Sequence, residues 1–254
     1  MVGSLWQALG RHHMRVYQGT LTLCEHVFFS SHEIGILFAS EPVIGNYALT
    51  YALGLCASPY YWAGGPRYKE DLTPLNTQGV YVTPATFATL SYAFQQFNAQ
   101  TDSYYSRFDQ NAIGTVREQK TRPNNFPQNG KLRLLGLGSV AHCYVLNAND
   151  MPLPLPSYIR LGKFHSKVRI IWQELRTQAI ELRSHEVRVM LNPVDMPPEL
   201  GMQILSLVSV HPTPLVGAAL FSGQGWQLAA LNQQPAPLVD TLPQGMRYGV
   251  EVLP

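Results

Sequence analysis

Residues 158–172 read Tyr158-Ile159-Arg160-Leu161-Gly162-Lys163-Phe164-His165-Ser166-Lys167-Val168-Arg169-Ile170-Ile171-Trp172. The stretch predicts a short strand over Tyr158–Leu161, a turn starting at Gly162-Lys163, and a second strand over Lys167–Trp172. In the second strand Val168, Ile170 and Trp172 share one face, and Lys167, Arg169 and Ile171 the other. That is the period of two expected of a strand covered on one side. Working outward, Val16–Leu23 alternates in the same way, with Tyr17, Leu21 and Leu23 opposite Gln18, Thr20 and Thr22. Further strands are predicted at Val80–Val82, Lys131–Leu135, Val140–Leu146, Val187–Leu191 and Met246–Val252, and residues 85–97 lean to strand.

Helices are fewer. Asn46–Leu55 is apolar on nearly every face, with Asn46 as its N-cap and Ser58-Pro59 ending it. Ser30 to Glu33 has the form of a capping box, which would open a short helix through Ile36–Phe38. Residues 174–182 are compatible with helix. Residues 59–79 read as a loop. Pro152, Pro154 and Pro156 form a stiff connector, and residues 101–130 an extended polar loop or protruding hairpin with a turn signal at Asn129-Gly130. No internal repeat or clean domain boundary is visible, so the fold class is α+β with elaborated loops.

At 254 residues the chain is long enough to bury a core without metal or disulfide staples. Three cysteines without a C-x-x-C support neither a zinc ribbon nor a disulfide framework; reduced thiols in a cytoplasmic protein are the simplest reading. The N-terminus is no signal peptide, and the longest apolar run, 204–221, is broken by His211, Pro212 and Pro214, so no membrane span is expected. Only 13% of residues are charged, a low value for a free soluble surface, which suggests that partners cover part of it.

The charges are unevenly placed. Residues 107–188 hold 13 of the 18 Lys and Arg residues against 6 carboxylates, a local balance of +7. Such a segment in a near-neutral chain is the footprint of a polyanion site. The bland alternative is a solvated basic hairpin. Within the segment, Arg160, Lys163, Lys167 and Arg169 would neutralise phosphates, Tyr158, Phe164 and His165 would stack on unpaired bases, and Gly162 would free a backbone N–H for a phosphate oxygen. Arg107, Lys120 and Arg122 join the candidates on charge alone.

Other chemistries lack support. Gly136-Leu137-Gly138-Ser139 has no third glycine and leads into a strand, so it reads as a turn and not as a dinucleotide fingerprint. No P-loop or G-x-S-x-G elbow occurs, the histidines have no metal-ligand spacing, and no acidic cluster suggests a two-metal nuclease. No cofactor, metal site or catalytic residue is expected.

Several segments together resemble a known family: Leu23-Cys24-Glu25-His26-Val27-Phe28-Phe29-Ser30-Ser31-His32-Glu33-Ile34-Gly35, Glu41-Pro42, Asn46–Leu53, Val80–Ala85, Tyr158–Lys163 and Leu191-Asn192-Pro193-Val194-Asp195. They are similar to the subtype I-D CRISPR-associated RAMP protein of the fifth Cas family, the subunit that holds the five-prime handle of the crRNA. The resemblance implies an antiparallel ferredoxin-like, RRM-related RAMP core over 15–254. It also implies a thumb hairpin inserted around 101–130, with residues 1–14 as an N-terminal extension. It implies a non-catalytic seat in the Cascade surveillance complex, with crRNA, the backbone and large subunits, and target DNA near the PAM side as partners. Two alternatives stay open. One is a metal-independent endoribonuclease using His165, Lys167 and Tyr158; the other is a protein-interaction module without RNA contact.

Overall fold

Arg15–Leu23 forms the central strand β1 because its side chains are needed on both sides of the sheet. Val16 enters one apolar core and Tyr17, Leu21 and Leu23 enter another. A computed structural model describes residues 14–60, 66–99, 104–107, 112–115, 128–149, 151–231 and 234–250. The expected N-terminal extension therefore lies outside the described residues except for Met14.

The main sheet has ten strands: β1, β4 (Val43–Ile44), β5 (Val80–Val82), β6 (Ala85–Thr89), β11 (Val140–Asn147), β12 (Tyr158–Leu161), β13 (Ser166–Val187), β14 (Gly201–Val208), β15 (Leu215–Ala230) and β16 (Thr241–Pro243). Its main path runs β14-β15-β13-β1-β11-β6-β4, and its pairings are antiparallel. A smaller sheet joins β2 (His32–Ile34), β3 (Leu37–Ala39), β10 (Gln128–Leu135) and β7 (Tyr92–Ala99), with β3 and β10 parallel. Strands β8 (Tyr104–Arg107) and β9 (Ala112–Thr115) pair with each other. With helices α1 (Asn46–Ala52) and α2 (Tyr68–Gln78), the architecture is mostly antiparallel sheet with few helices, an α+β arrangement consistent with a RAMP-type fold.

Opposite Gly19 of β1 lies Trp172 of β13. A Cβ at position 19 would approach the indole to 2.6 Å and the Cys143 Sγ to 3.1 Å. Gly19→Ala is therefore an overpacking change, expected to lower stability by about 1–3 kcal/mol in urea unfolding. An unchanged midpoint would mean that the indole moves freely.

Several expectations are corrected. The Ser30–Glu33 segment opens no helix: β2 and β3 form a hairpin turned at Gly35, whose φ of 58° suits glycine. Leu37–Ala39 is recruited as a strand by pairing with β10. Residues 68–78 are helix α2, not loop. It buries only Asp71, Leu72 and Leu75, contains Pro74 and ends at Gly79 in the left-handed region, so it carries little periodic signal. Residues 174–182 continue β13, held by pairing with β15 from Leu175 onward.

The fourth correction concerns the predicted strand from Met246. Residues 246–250 are not a strand, because side chains satisfy their backbone groups. Asn76 brackets Tyr248, donating to its carbonyl and accepting its N–H, and Asp195 Oδ1 accepts the Gly249 N–H at 2.7 Å. Residues 251–252 lie outside the described residues. The Asn129-Gly130 signal is likewise no turn: both residues lie within β10, and Gly130 makes room for the Phe97 ring.

Helix α1 stops sooner than expected, at Ala52, with Gly54 in the left-handed region (φ 70°) just beyond it. Its N-cap is Gly45. The Asn46 side chain is committed elsewhere: its Nδ2 donates to Asp195 Oδ2 at 2.6 Å. Asp195 is fully buried and also accepts from the hydroxyls of Tyr47 (3.1 Å) and Tyr81 (2.9 Å). Tyr248 closes this box through Thr50 and the Val82 N–H. Thus two of the quoted segments, Asn46–Leu53 and Leu191–Asp195, meet in one buried hydrogen-bond network.

Candidate functional site

The sequence places cations on alternate residues of a strand–turn–strand unit, and the fold keeps them together. Strand β12 pairs with the start of β13 so that Tyr158 faces Arg169 and Arg160 faces Lys167. Ile159, Leu161, Val168 and Ile170 point into the core, which leaves Tyr158, Arg160, Lys167 and Arg169 on the opposite, exposed face. This alternation is the one expected from the sequence. The face continues across β1 and β11 through Ile171, Thr20, Thr22 and His142, whose Nδ1 lies 3.2 Å from Thr20 Oγ1. Partial burial lowers the His142 pKa from its usual value, favouring the neutral ring.

The turn itself is docked on a second segment. Lys163 N–H donates to the Phe28 carbonyl at 2.8 Å, Ser166 Oγ to the His26 carbonyl at 2.6 Å, and Cys24 N–H to the Lys167 carbonyl at 3.0 Å. Phe164 stacks on Phe28 with ring centroids 5.2 Å apart. Gly162 has a docking role that the sequence did not announce. With φ 72°, a Cβ there would lie 2.5 Å from the Phe28 carbonyl oxygen, so glycine is needed for close docking. His165 also has positive φ and is exposed. Residues 24–28 belong to the first quoted segment, so two stretches about 140 residues apart build one surface.

Several planar groups are available. Tyr158 and Phe164 are each 53% exposed, enough to offer a ring face to a base. Lys167 Nζ lies 4.5 Å from the Tyr158 ring centroid, a cation–π arrangement that holds both side chains in place. Beside them is an open cleft of about 460 Å³ lined by Tyr51, Ala52, Tyr158, Ile159, Arg160 and Lys167. A base or sugar fits such a volume, with cations at its rim.

The structure thus brings together Tyr158, Arg160, Gly162, Lys163, His165, Lys167 and Arg169. Of Arg107 only the backbone is described, on β8 opposite Ala112. Lys120 and Arg122 lie outside the described residues. Elsewhere the basic segment is less free than its composition implied: Arg183 pairs with Glu181 at 2.8 Å and Arg188 with Glu186 at 2.7 Å.

Sequence reasoning missed Glu25. Its Oε2 accepts the Lys167 N–H at 2.6 Å and lies 3.5 Å from Arg160 Nη1. Nothing in the local sequence of the turn announces this carboxylate. Among the described residues no group of three or more His, Cys, Asp or Glu converges as metal ligands, the three cysteines are free, and no helix is long and apolar enough to cross a membrane.

A family model described as type I-D CRISPR-associated protein Cas5/Csc1 matches residues 14–251. No curated protein matches the chain.

Proposed function

Because the chain belongs to the type I-D CRISPR-associated protein Cas5/Csc1 family, we propose that it is a non-catalytic, cytoplasmic RNA-binding subunit of the type I-D effector complex. It grips the five-prime handle of the crRNA on the 158–169 hairpin and contacts the backbone and large subunits near the PAM side of target DNA. In this reading the body is a ferredoxin-like RAMP core, and β8–β9, between β7 and β10, belong to the thumb.

One observation carries the RNA assignment. Four cations and two exposed rings are presented on one rigid hairpin beside an open cleft. Single-stranded RNA needs that pairing of features, since cations meet its phosphates and aromatic faces meet its unpaired bases. A protein-interaction module without RNA contact would not bind handle RNA with the steep salt dependence that phosphate contacts impose.

Reversing Arg160 and Lys163 to Glu is the test. Repeat-derived handle RNA should bind at least about tenfold more weakly at physiological salt, and the log–log salt slope should fall, since each lost phosphate contact removes roughly 0.7 from it. Reversing Arg67 and Lys69, on and beside α2, should change binding little. Equal effects from the two pairs would remove the hairpin as the RNA seat. Incubating the wild-type protein with repeat RNA in EDTA should leave the RNA intact; clean cleavage lost in His165→Ala would replace this reading with the endoribonuclease one.

A further inference from the structure

Glu25 has the wrong sign for a phosphate-binding surface, yet the fold holds it at the centre of one. Its Oε2 accepts the Lys167 backbone N–H at 2.6 Å and lies 3.5 Å from the Arg160 guanidinium. A backbone N–H beside a guanidinium is what a phosphate oxygen seeks. As a support for the fold the ion pair is weak: the Arg160 and Glu25 side chains are 60% and 52% exposed, and exposed pairs contribute little. The docking of this segment does not depend on the carboxylate either. It is secured by the Cys24 N–H, the His26 carbonyl and the Phe28 carbonyl.

We propose that Glu25 is a resident anion. Its carboxylate fills a phosphate seat formed by the Lys167 N–H and the Arg160 guanidinium, and an RNA phosphate binds there by displacing it. The inference rests on the reading of the hairpin as an RNA seat and adds a control over that seat. The exposed side chain swings into solvent while the backbone on either side of it stays clamped, Cys24 to Lys167 and His26 to Ser166. A polyanion that meets the hairpin only through charge must compete with Glu25 and gains little. An RNA that also engages Lys163 and Arg169 and stacks on Tyr158 or Phe164 displaces it. Glu25 therefore acts as a filter that favours the cognate RNA strand over other polyanions.

Glu25→Gln keeps an oxygen that can accept the Lys167 N–H and removes the charge. Fluorescence anisotropy with the full chain would compare handle RNA with oligouridine of equal length across a salt series. Removing one repelling charge at this range is expected to tighten both by about 3–10-fold at low salt. The gain should be larger for oligouridine, so discrimination falls. The salt slope should steepen by roughly 0.7, one more phosphate engaged. In an Arg160→Ala background both changes should disappear.

Unchanged affinities and slope in Glu25→Gln, with the Arg160 and Lys163 reversal still abolishing binding, would overturn the inference and leave the RNA seat standing. Weaker binding, or failure of Glu25→Gln to fold, would make the carboxylate a structural brace and overturn it as well. If the reversal itself has no effect, the RNA reading falls and the inference falls with it.

Discussion

Asp195→Ala is expected to abolish soluble folding. The substitution strands four donors in the core: Asn46 Nδ2, the Tyr47 and Tyr81 hydroxyls and the Gly249 N–H. Each buried donor left without an acceptor costs about 1–3 kcal/mol, so the sum approaches the whole stability of an ordinary domain, about 5–15 kcal/mol. Asp195 joins α1, β5 and the 246–250 segment, so all three lose their common anchor. The readout is urea unfolding, or the soluble fraction where no folded protein is recovered. A midpoint within about 1 kcal/mol of wild type would mean that water replaces the carboxylate without loss.

The same residue predicts a pH profile. Burial raises its pKa from 3.8 to about 6, against the opposing pull of its hydrogen bonds. Folded protein thus holds a proton that the unfolded chain has already released. The contribution is fully present below about pH 4 and is lost as pH rises through about 6. It amounts to at most about 3 kcal/mol. Asp195→Asn should flatten the stability profile across that window, and an unaltered slope would assign the window to other groups.

Leu53→Asp is the second large effect. Leu53 is the C-cap of α1 and is buried with Leu49, Val82 and Val145 in the core beneath β12. A carboxylate in this apolar cluster must either stay charged at several kcal/mol or take up a proton. Insoluble or unassembled protein is expected, with loss of the native circular dichroism spectrum. Arg160→Ala should do the reverse, keeping the fold and lowering RNA affinity, because an exposed cation carries little folding energy. A native-like Leu53→Asp subunit would show that the helix end is not part of the core.

What could be read in advance divides along physical lines. Strand β1 and the 158–172 hairpin were legible because one-sided burial writes a period of two into the residues themselves. Helix α1 was legible because its apolar surface is continuous. Helix α2 was not: its face rests on Leu72 and Leu75, with Asp71 buried beside them against the Tyr51 hydroxyl. The continuation of β13 past Leu175 was hidden because its register comes from β15, some 50 residues away. Glu25 and Asp195 belong to the same class. Each acts on partners far away in the chain, 142 residues for Glu25 with Lys167 and 54 to 149 for Asp195, so no local pattern marks them. The signal that was available was indirect: both lie inside segments singled out by resemblance, for which composition offered no chemical role.

The contact between Thr50 and Tyr248 spans 198 positions of the chain. A ribosome adds about 5–20 residues per second, so α1 waits on the order of 10–40 s for the tyrosine that closes over it. During that interval Asn46, Tyr47 and Tyr81 are already synthesised while Asp195 and Gly249 are not. The nascent chain therefore carries a half-built polar box, and the Tyr47 and Thr50 side of the helix lacks its Tyr248 cover, until the 246–250 segment emerges. The order of synthesis thus makes the closing of this box one of the last steps in building the fold.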